Sequence, residues 1–507
     1  MMTVNKAIFR LAIKVAWYEV RGIDKVLLLL PYTPAPYSGA MYDSGRAILI
    51  GKNPHVEYHL VENIPQEALD RIKIYTEHIV VMHTHDSSVN AVFHGFSVLL
   101  PLGPITPRLQ RLSLFPHDLA PAPFHAEAAF LLDLCCPNTL VAFSLTPPRN
   151  HGQLERMFSV SIHISPSALT QLLCELKFKR IRELNLERDY LFIPTTVQAV
   201  PQDVRSSLDR LTTISLFGNT LRLLPLELLA TLPHLSHLQL SLLDHMVEPS
   251  SMNPNDRGFP SLECIRLFKP QCEPATRLLG IIPSQLRVIL VQFDFTDDEL
   301  PDEGHISAFI NTLVQNRQTL HSLTLYLDNT PLSTQCVTAL SSLNKLTTVA
   351  GILEFTDQEC ILDLFRRWPE IRCLNLPACT IDPEAMVELA IIWPHLTRLS
   401  IKLSMRQSPH TSPFINRSSI TSTSNDGHVP DPESTLPQAF IPISTSSIKL
   451  TLRTELKLES DDCREIARLL VRCWRNVTLF RSRKSKLQNK ILESIMNEIK
   501  IYRNVAD

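Results

Sequence analysis

Twelve copies of one apolar spacing, Leu-x-x-Leu-x-Leu and its Ile, Val, Phe and Met variants, run through most of this 507-residue chain. Clear copies stand at Leu109/Leu112/Leu114, Ile181/Leu184/Leu186, Leu211/Ile214/Leu216, Leu235/Leu238/Leu240 and Leu262/Ile265/Leu267. They continue at Leu286/Ile289/Val291, Leu320/Leu323/Leu325, Ile371/Leu374/Leu376 and Leu396/Leu399/Ile401. Weaker copies stand at Ile79/Met82/Thr84, Leu140/Phe143/Leu145 and Leu346/Val349/Gly351. The last two apolar members are two residues apart, so they share one face of a short strand. The first lies three residues earlier, where the chain turns in. From Ile181 onward the starts are 30, 24, 27, 24, 34, 26, 25 and 25 residues apart.

Apart from two loop insertions, that is the roughly 20–29-residue period of a leucine-rich repeat. Stacked copies build a parallel sheet with an inward column of leucines, each repeat burying itself against its neighbours. The 78 Leu fit this demand. Glu227–Pro233, Ile306–Val314 and Pro383–Trp393 carry apolar residues three and four apart, which predicts helices between strands. Asp382-Pro383-Glu384 reads as a helix start, with a cap, proline at the first helical position and an acid in the first turn. Proline recurs just before new strands, as in Trp368-Pro369 and Trp393-Pro394. Asn219 and Cys379 stand where a turn residue is expected, eight positions after Leu211 and Ile371. The fold class predicted is α/β, a curved solenoid with a parallel concave sheet, helices on the convex side and a short N-terminal helical segment.

The rest of the chain organises around that array. Residues 1–30 read as an apolar helical segment, and residues 32–65 as loop-rich. The repeats occupy 66–403. The Ser/Thr/Pro-rich stretch 404–446 cannot bury enough apolar surface to fold and reads as a disordered insertion. Residues 447–507 read as a last strand at Ile448–Leu452 and a helical, basic cap from Asp461 to Tyr502, with Arg481, Arg483, Lys484 and Lys486 clustered on a solvated helix face.

Composition excludes several function classes. Lys and Arg number 49 against 51 Asp and Glu, a net charge of −2, unlike a protein that grips nucleic acid through phosphates. Only 13 Gly leave little room for phosphate-cradling loops. The 11 Cys form no CxxC pair, which argues against zinc ribbons and thioredoxin-type chemistry and for reduced, buried thiols in the cytosol or nucleus. His83 and His85 read as solvated loop histidines and the vicinal Cys135-Cys136 as buried, so no metal, cofactor or catalytic residue is expected. No apolar run is long enough to cross a membrane, and neither a membrane nor a nucleic-acid partner is expected.

The N-terminal stretch carries a resemblance. Ala16-Trp17-Tyr18-Glu19-Val20, followed by the Leu-rich run ending at Pro31, is similar to a stretch in fungal, basidiomycete-type F-box proteins with leucine-rich repeats. Arg71, Tyr75, Ile79 and Met82 match the anchors of a second motif of that group, which leads into its first repeat; the group's first Trp is replaced here by Leu69 or Asp70. Cys473-Trp474-Arg-Asn-Val477 resembles the group's closing Trp-x-x-Val. The resemblance implies the substrate-recognition part of an F-box-type ubiquitin-ligase adaptor; the alternative is a repeat scaffold without a ligase link. The F-box proper would lie before residue 7, so the helices that dock a Skp-type linker are expected to be missing, which leaves residues 1–30 as a residual F-box-like segment. Leu224-Pro-Leu-Glu-Leu-Leu also looks like an F-box opening, but it runs into the strand at Leu235 and reads as the helix of one repeat.

Partner binding is expected on the outward strand positions, which stand in a grid on a rigid base. Arg111, Glu183, His237, Gln239, Arg266, Val288, Leu290, Asn375 and Arg398 are the candidates. Most outward positions are small and polar, while Val288 and Leu290 form an apolar spot. Interface energy concentrates in a few central anchors. That places the contact centre at Val288 and Leu290, flanked by Arg266 and His237, unless the 292–305 segment covers the spot.

Overall fold

A computed structural model describes residues 6–21, 24–27, 64–83, 104–114, 139–145, 180–186, 208–217, 224–241, 258–282, 285–295, 303–315, 319–355, 358–403, 444–453, 460–479 and 486–506. It also describes short pieces at 29, 32–36, 47–48, 56–60, 132, 172–173, 176 and 220–221. The chain divides into two compact units, Met1–Pro283 and Ser284–Asp507.

Unit 1 begins with helix α1 (Lys6–Ala16), strand β1 (Glu19–Arg21) and a short helix α2 (Asp24–Leu27). Strands β2 (Tyr32–Pro36), β3 (Ala47–Ile48) and β4 (Val56–Leu60) form a small antiparallel sheet in the order β2-β4-β3. Helix α3 (Gln66–Thr76) then leads into the repeats. These contribute β5 (Val81–His83), β6 (Arg111–Leu114), β7 (Ala142–Leu145), β8 (Glu183–Leu186), β9 (Thr213–Phe217), β10 (His237–Ser241) and β11 (Cys264–Phe268). Helix α4 (Leu226–Ala230) precedes β10, and α5 (Cys272–Ile281) follows β11. From β1 and β5 through β11, each strand pairs in parallel with the next.

Unit 2 repeats the plan with larger helices. Its strands are β12 (Val288–Gln292), β13 (Ser322–Leu332), β14 (Thr348–Phe355), β15 (Cys373–Ile381), β16 (Arg398–Leu403), β17 (Ser444–Arg453) and β18 (Trp474–Leu479). All pair in parallel with their sequence neighbours. Between them run α6 (Glu303–Val314), α7 (Thr334–Leu340), α8 (Gln358–Arg366), α9 (Pro383–Ile392) and α10 (Ser460–Cys473), with α11 (Lys486–Ala506) at the end. Successive helices from α6 to α11 pack on one another. Parallel strands at the repeat period, alternating with helices, make this a leucine-rich-repeat fold.

All twelve apolar registers of the sequence deliver a strand. The described inward members are buried, including Leu238, Leu240, Leu374 and Leu376. At such sites Leu→Ala should cost about 2–5 kcal/mol, measurable by urea denaturation. In most repeats one carbonyl, at the residue just before the strand, accepts two amides from the next repeat. Thr347 O takes Arg372 N at 2.8 Å and Cys373 N at 3.0 Å. Thr397, one repeat on, adds its hydroxyl to the carbonyl of Arg372 at 2.9 Å. The turn-in is thus a hydrogen-bonded corner that draws successive strands to a common start.

The prolines act as read. Trp393 closes α9 with φ −120° and ψ 71°, outside the helical region, because a residue before proline is pushed out of it. Helix α9 starts at Pro383 with Asp382 as N-cap, but the Asp382 side chain does not make the expected capping bond. Cys379 fills its turn slot as a buried thiol; Asn219 lies outside the described residues.

Several expectations need correction. Residues 1–30 are not one helical segment, since Glu19–Arg21 forms β1 and opens the main ladder. Residues 32–65 carry a sheet rather than loops alone, because Tyr32–Pro36 and Val56–Leu60 pair along their length. The strand expected at Ile448–Leu452 begins earlier, at Ser444, so residues 444–446 belong to it; 404–443 lie outside the described residues. Nor is Asp461–Tyr502 wholly helical. Trp474–Leu479 is a further strand, because Val477 and Leu479 take up the register of Ile448 and Leu450.

Candidate functional site

The outward faces of the two ladders are the candidate site. In a parallel ladder, residues in register form rows across the strands. Unit 1 has two outward rows; strand register chains Glu19, Val81, Arg111, Ala142, Glu183, Thr213, His237 and Cys264 in the first. The second runs Arg21, His83, Ser113, Ser144, Asn185, Ser215, Gln239 and Arg266.

In unit 1 both outward glutamates meet basic side chains. Arg111 Nη2 donates to Glu183 Oε1 at 3.1 Å, although 72 residues separate them. Ala142 stands between them as the register partner of both, and its small side chain lets the two long ones reach across it. Arg21 bonds Glu19 at 2.9 Å, and His83 Nε2 lies 3.6 Å from the same carboxylate. His83 is therefore a strand residue on this face rather than a loop histidine. Arg111 and Glu183 are 60 % and 39 % exposed, so their ion pair is screened by water. Breaking it with Glu183→Ala should cost under ~1 kcal/mol in thermal melting and change less at high salt.

Of the candidates in unit 1, Arg111, His237 and Arg266 are exposed, and Glu183 and Gln239 are half-buried. Gln239 and Arg266 are register partners. Ser236 Oγ lies 2.9 Å from His237 Nδ1 and steadies that ring. Two outward positions, Ala142 and Cys264, are buried. Cys264 sits beside the longer Arg266 side chain; burial raises its thiol pKa, partly opposed by the Arg266 charge.

Unit 2 has corresponding rows. The first runs Val288, Ser322, Thr348, Cys373, Arg398, Lys449 and Thr478, and the second Leu290, Thr324, Ala350, Asn375, Ser400 and Thr451. Val288 and Leu290 are half-buried, and Asn375 and Arg398 are exposed. Of the 292–305 segment that was the alternative cover for the apolar spot, residues 296–302 lie outside the described ones. Phe293 turns inward, edge-on to Phe309 of α6 at 5.1 Å. The four candidates of unit 2 share one face, as do the five of unit 1.

Sequence reasoning missed Glu19, Arg21 and His83, because β1 is three residues long and carries one buried apolar residue, Val20. It also missed Lys402 and Lys449, the first beyond the apolar triplet of its copy and the second in a strand outside the repeat pattern. The alternation Ile448-Lys449-Leu450-Thr451-Leu452 was the available signal.

Burial favours the neutral thiol at several of the described cysteines. Burial pushes Cys379 and Cys473 up to about 12 and Cys272 up to about 11. Burial also raises Cys373, partly opposed by the Arg398 charge on the neighbouring strand. A raised folded pKa means that the neutral thiol is favoured by the fold. That stability is complete below the ordinary thiol value of about 8.5 and is lost as pH rises towards 12. Urea midpoints should therefore fall above about pH 9, and less steeply in Cys379→Ala. Among the described residues no group of three or more His, Cys, Asp or Glu is placed to hold a metal ion. Among them, too, no helix is long and apolar enough to cross a membrane. His85, Cys135, Cys136, Arg481, Arg483 and Lys484 lie outside the described residues.

No family model matches the sequence, and no curated protein matches it. Solved structures do. An internalin from Listeria monocytogenes aligns over 67 % of this chain and 78 % of its own, at 14 % identity and a TM-score of 0.32. TLR13, in a complex with ssRNA13, aligns over 67 % of this chain and 44 % of its own, at 13 % identity and a TM-score of 0.34. The leucine-rich-repeat assignment comes from the ladder and its period.

Proposed function

We propose that this chain is a partner-recognition module whose outward sheet face receives a protein, and that it serves as the substrate-recognition part of an F-box-type ubiquitin-ligase adaptor. The observation that carries the first half is the ladder itself. It holds rows of outward polar and charged side chains, with the apolar Val288 and Leu290, on a hydrogen-bonded base whose inward side is closed by leucine. Such a grid suits recognition of an extended surface, because the side chains are presented without ordering a loop.

Support for the second half is local. Trp17 of the N-terminal motif meets Tyr75 of the second motif, with ring centroids 5.0 Å apart. Ile79 and Met82 of that motif are buried where the chain enters β5. Residues that carry the resemblance therefore pack together at one corner. The test is co-purification of a Skp-type linker and a cullin with the full chain. Recovery of both supports the adaptor reading. Their absence, with other proteins still captured, favours a repeat scaffold without a ligase link.

A further inference from the structure

Helix α1 turns an apolar stripe to solvent. Ile8, Leu11 and Val15 recur three and four residues apart, so they lie within about 60° of one another around the helix. They are 60 %, 65 % and 78 % exposed. Ile13 points the other way and is the one buried side chain among those described in the helix. The stripe is therefore not what seats α1 on its unit. Phe9 and, just past the helix end, Tyr18 are exposed as well. Monomeric soluble proteins scatter exposed apolar residues singly and rarely group them on one face.

The rest of the helix constrains what covers the stripe. Its charged residues, Lys6, Arg10 and Lys14, are all basic, and Arg10 and Lys14 are exposed. Lys14 stands about 60° from Leu11 around the helix, so positive charge flanks the stripe along one side. Helix α1 contains no acid and no Ser, Thr, Asn or Gln. It offers aliphatic area and positive charge but no neutral hydrogen-bonding side chain, whereas a protein interface carries about ten direct hydrogen bonds. A second copy of the helix laid on the stripe would bring like charges together. The surface that matches both features is an acyl layer beneath anionic headgroups.

We infer that α1 lies on an anionic bilayer surface, with Ile8, Leu11 and Val15 in the acyl boundary and Arg10 and Lys14 at the headgroup phosphates. This goes beyond the partner reading of the sheet face and does not depend on it. Spanning a bilayer takes about 20 apolar residues, whereas lying on one takes a single helix face. The expectation of no membrane partner rested on the lack of a spanning segment, which does not bear on a helix lying in the interface. Tyr18 is of a residue type enriched at headgroup level. Binding of this kind scales with buried apolar area plus attraction to anionic lipid, so a helix as short as α1 binds reversibly.

The test is flotation of the full chain with vesicles of phosphatidylcholine, alone or mixed with phosphatidylserine. The chain should float with the mixed vesicles, bind phosphatidylcholine alone roughly tenfold more weakly, and lose affinity as salt rises. Leu11→Ser with Val15→Ser should weaken binding by roughly tenfold or more. The melting curve should be retained, because both side chains are mostly exposed. Arg10→Gln with Lys14→Gln should weaken binding to the mixed vesicles roughly tenfold to thirtyfold at low salt and flatten its salt dependence. No binding to the mixed vesicles, equal binding to phosphatidylcholine alone, or binding unaffected by the Leu11 and Val15 substitutions overturns the inference. Self-association, or capture of a recombinant Skp-type linker, that is lost with those two substitutions while vesicles stay unbound overturns it in favour of a protein on the stripe. Each of these failures leaves capture on the sheet face untouched, so the module reading stands or falls separately.

Discussion

Gly351→Ala is expected to be the most damaging small substitution in the chain. Gly351 occupies an inward position of β14, where most other repeats place Leu, Ile or Val, and pairs with Leu325. Its φ is +140°, in the region that side chains avoid. A Cβ built there would lie 1.7 Å from the carbonyl oxygen of Leu325 and 2.6 Å from its carbon. Both are backbone atoms of the paired strand, so no rotamer change relieves the clash; β13 and β14 must separate. Overpacking and a strained φ each cost about 1–3 kcal/mol, so a loss of roughly 2–6 kcal/mol is expected, a large part of a typical domain's stability. Ala350→Ser, one residue away and outward, should stay within about 0.5 kcal/mol. Urea denaturation of the two variants side by side measures the contrast.

Trp393→Ala is expected to cost about 3–5 kcal/mol from lost burial alone. Trp393 is fully buried, its Nε1 donates to the carbonyl of Trp368 at 2.7 Å, and its ring meets Phe365 at 5.0 Å. Trp368 in turn donates to the carbonyl of Leu340 at 3.1 Å. The two indoles thus tie consecutive repeats through carbonyls near helix ends, where backbone acceptors lack helical partners. Truncation at Trp393 leaves a cavity and a buried carbonyl without its donor. Trp393→Phe keeps most of the volume and loses the bond, so it should cost less than Trp393→Ala, by thermal melting.

These sites show what the sequence makes legible. The apolar triplets located twelve strands and their inward faces, because a buried strand needs its leucines two apart whatever lies between. Strands with shorter or different patterns were harder to see. Val20 is the one buried residue of β1, and Trp474–Leu479 follows a helix without a turn signal between them. The small sheet of β2, β3 and β4 was hidden by Pro34 and Pro36, which read as loop residues but sit in a strand here. The proline rule is statistical and allows edge strands, and β2 is an edge of its sheet.

For the candidate face, spacing predicted which residues point outward but not how their charges meet. The Arg111–Glu183 contact spans two strand intervals and depends on the small Ala142 between them. That Arg398 and Lys449 stand in register depends on the pairing of β16 with β17, which no local pattern encodes. Gly351 was visible as a weak copy of the repeat, yet the close approach that requires it is a property of two strands together.

The central claim is that the outward sheet face, and not the helix layer, captures a protein partner. The direct measurement is proximity labelling with the full chain, comparing Leu290→Asp with Arg398→Ala on the unit 2 face against Arg277→Ala with Asp363→Ala on exposed helix positions. The face pair should abolish capture with the melting curve retained, and the helix pair should leave capture intact. Undiminished capture by the face pair, or its loss only in the helix pair, would contradict the account.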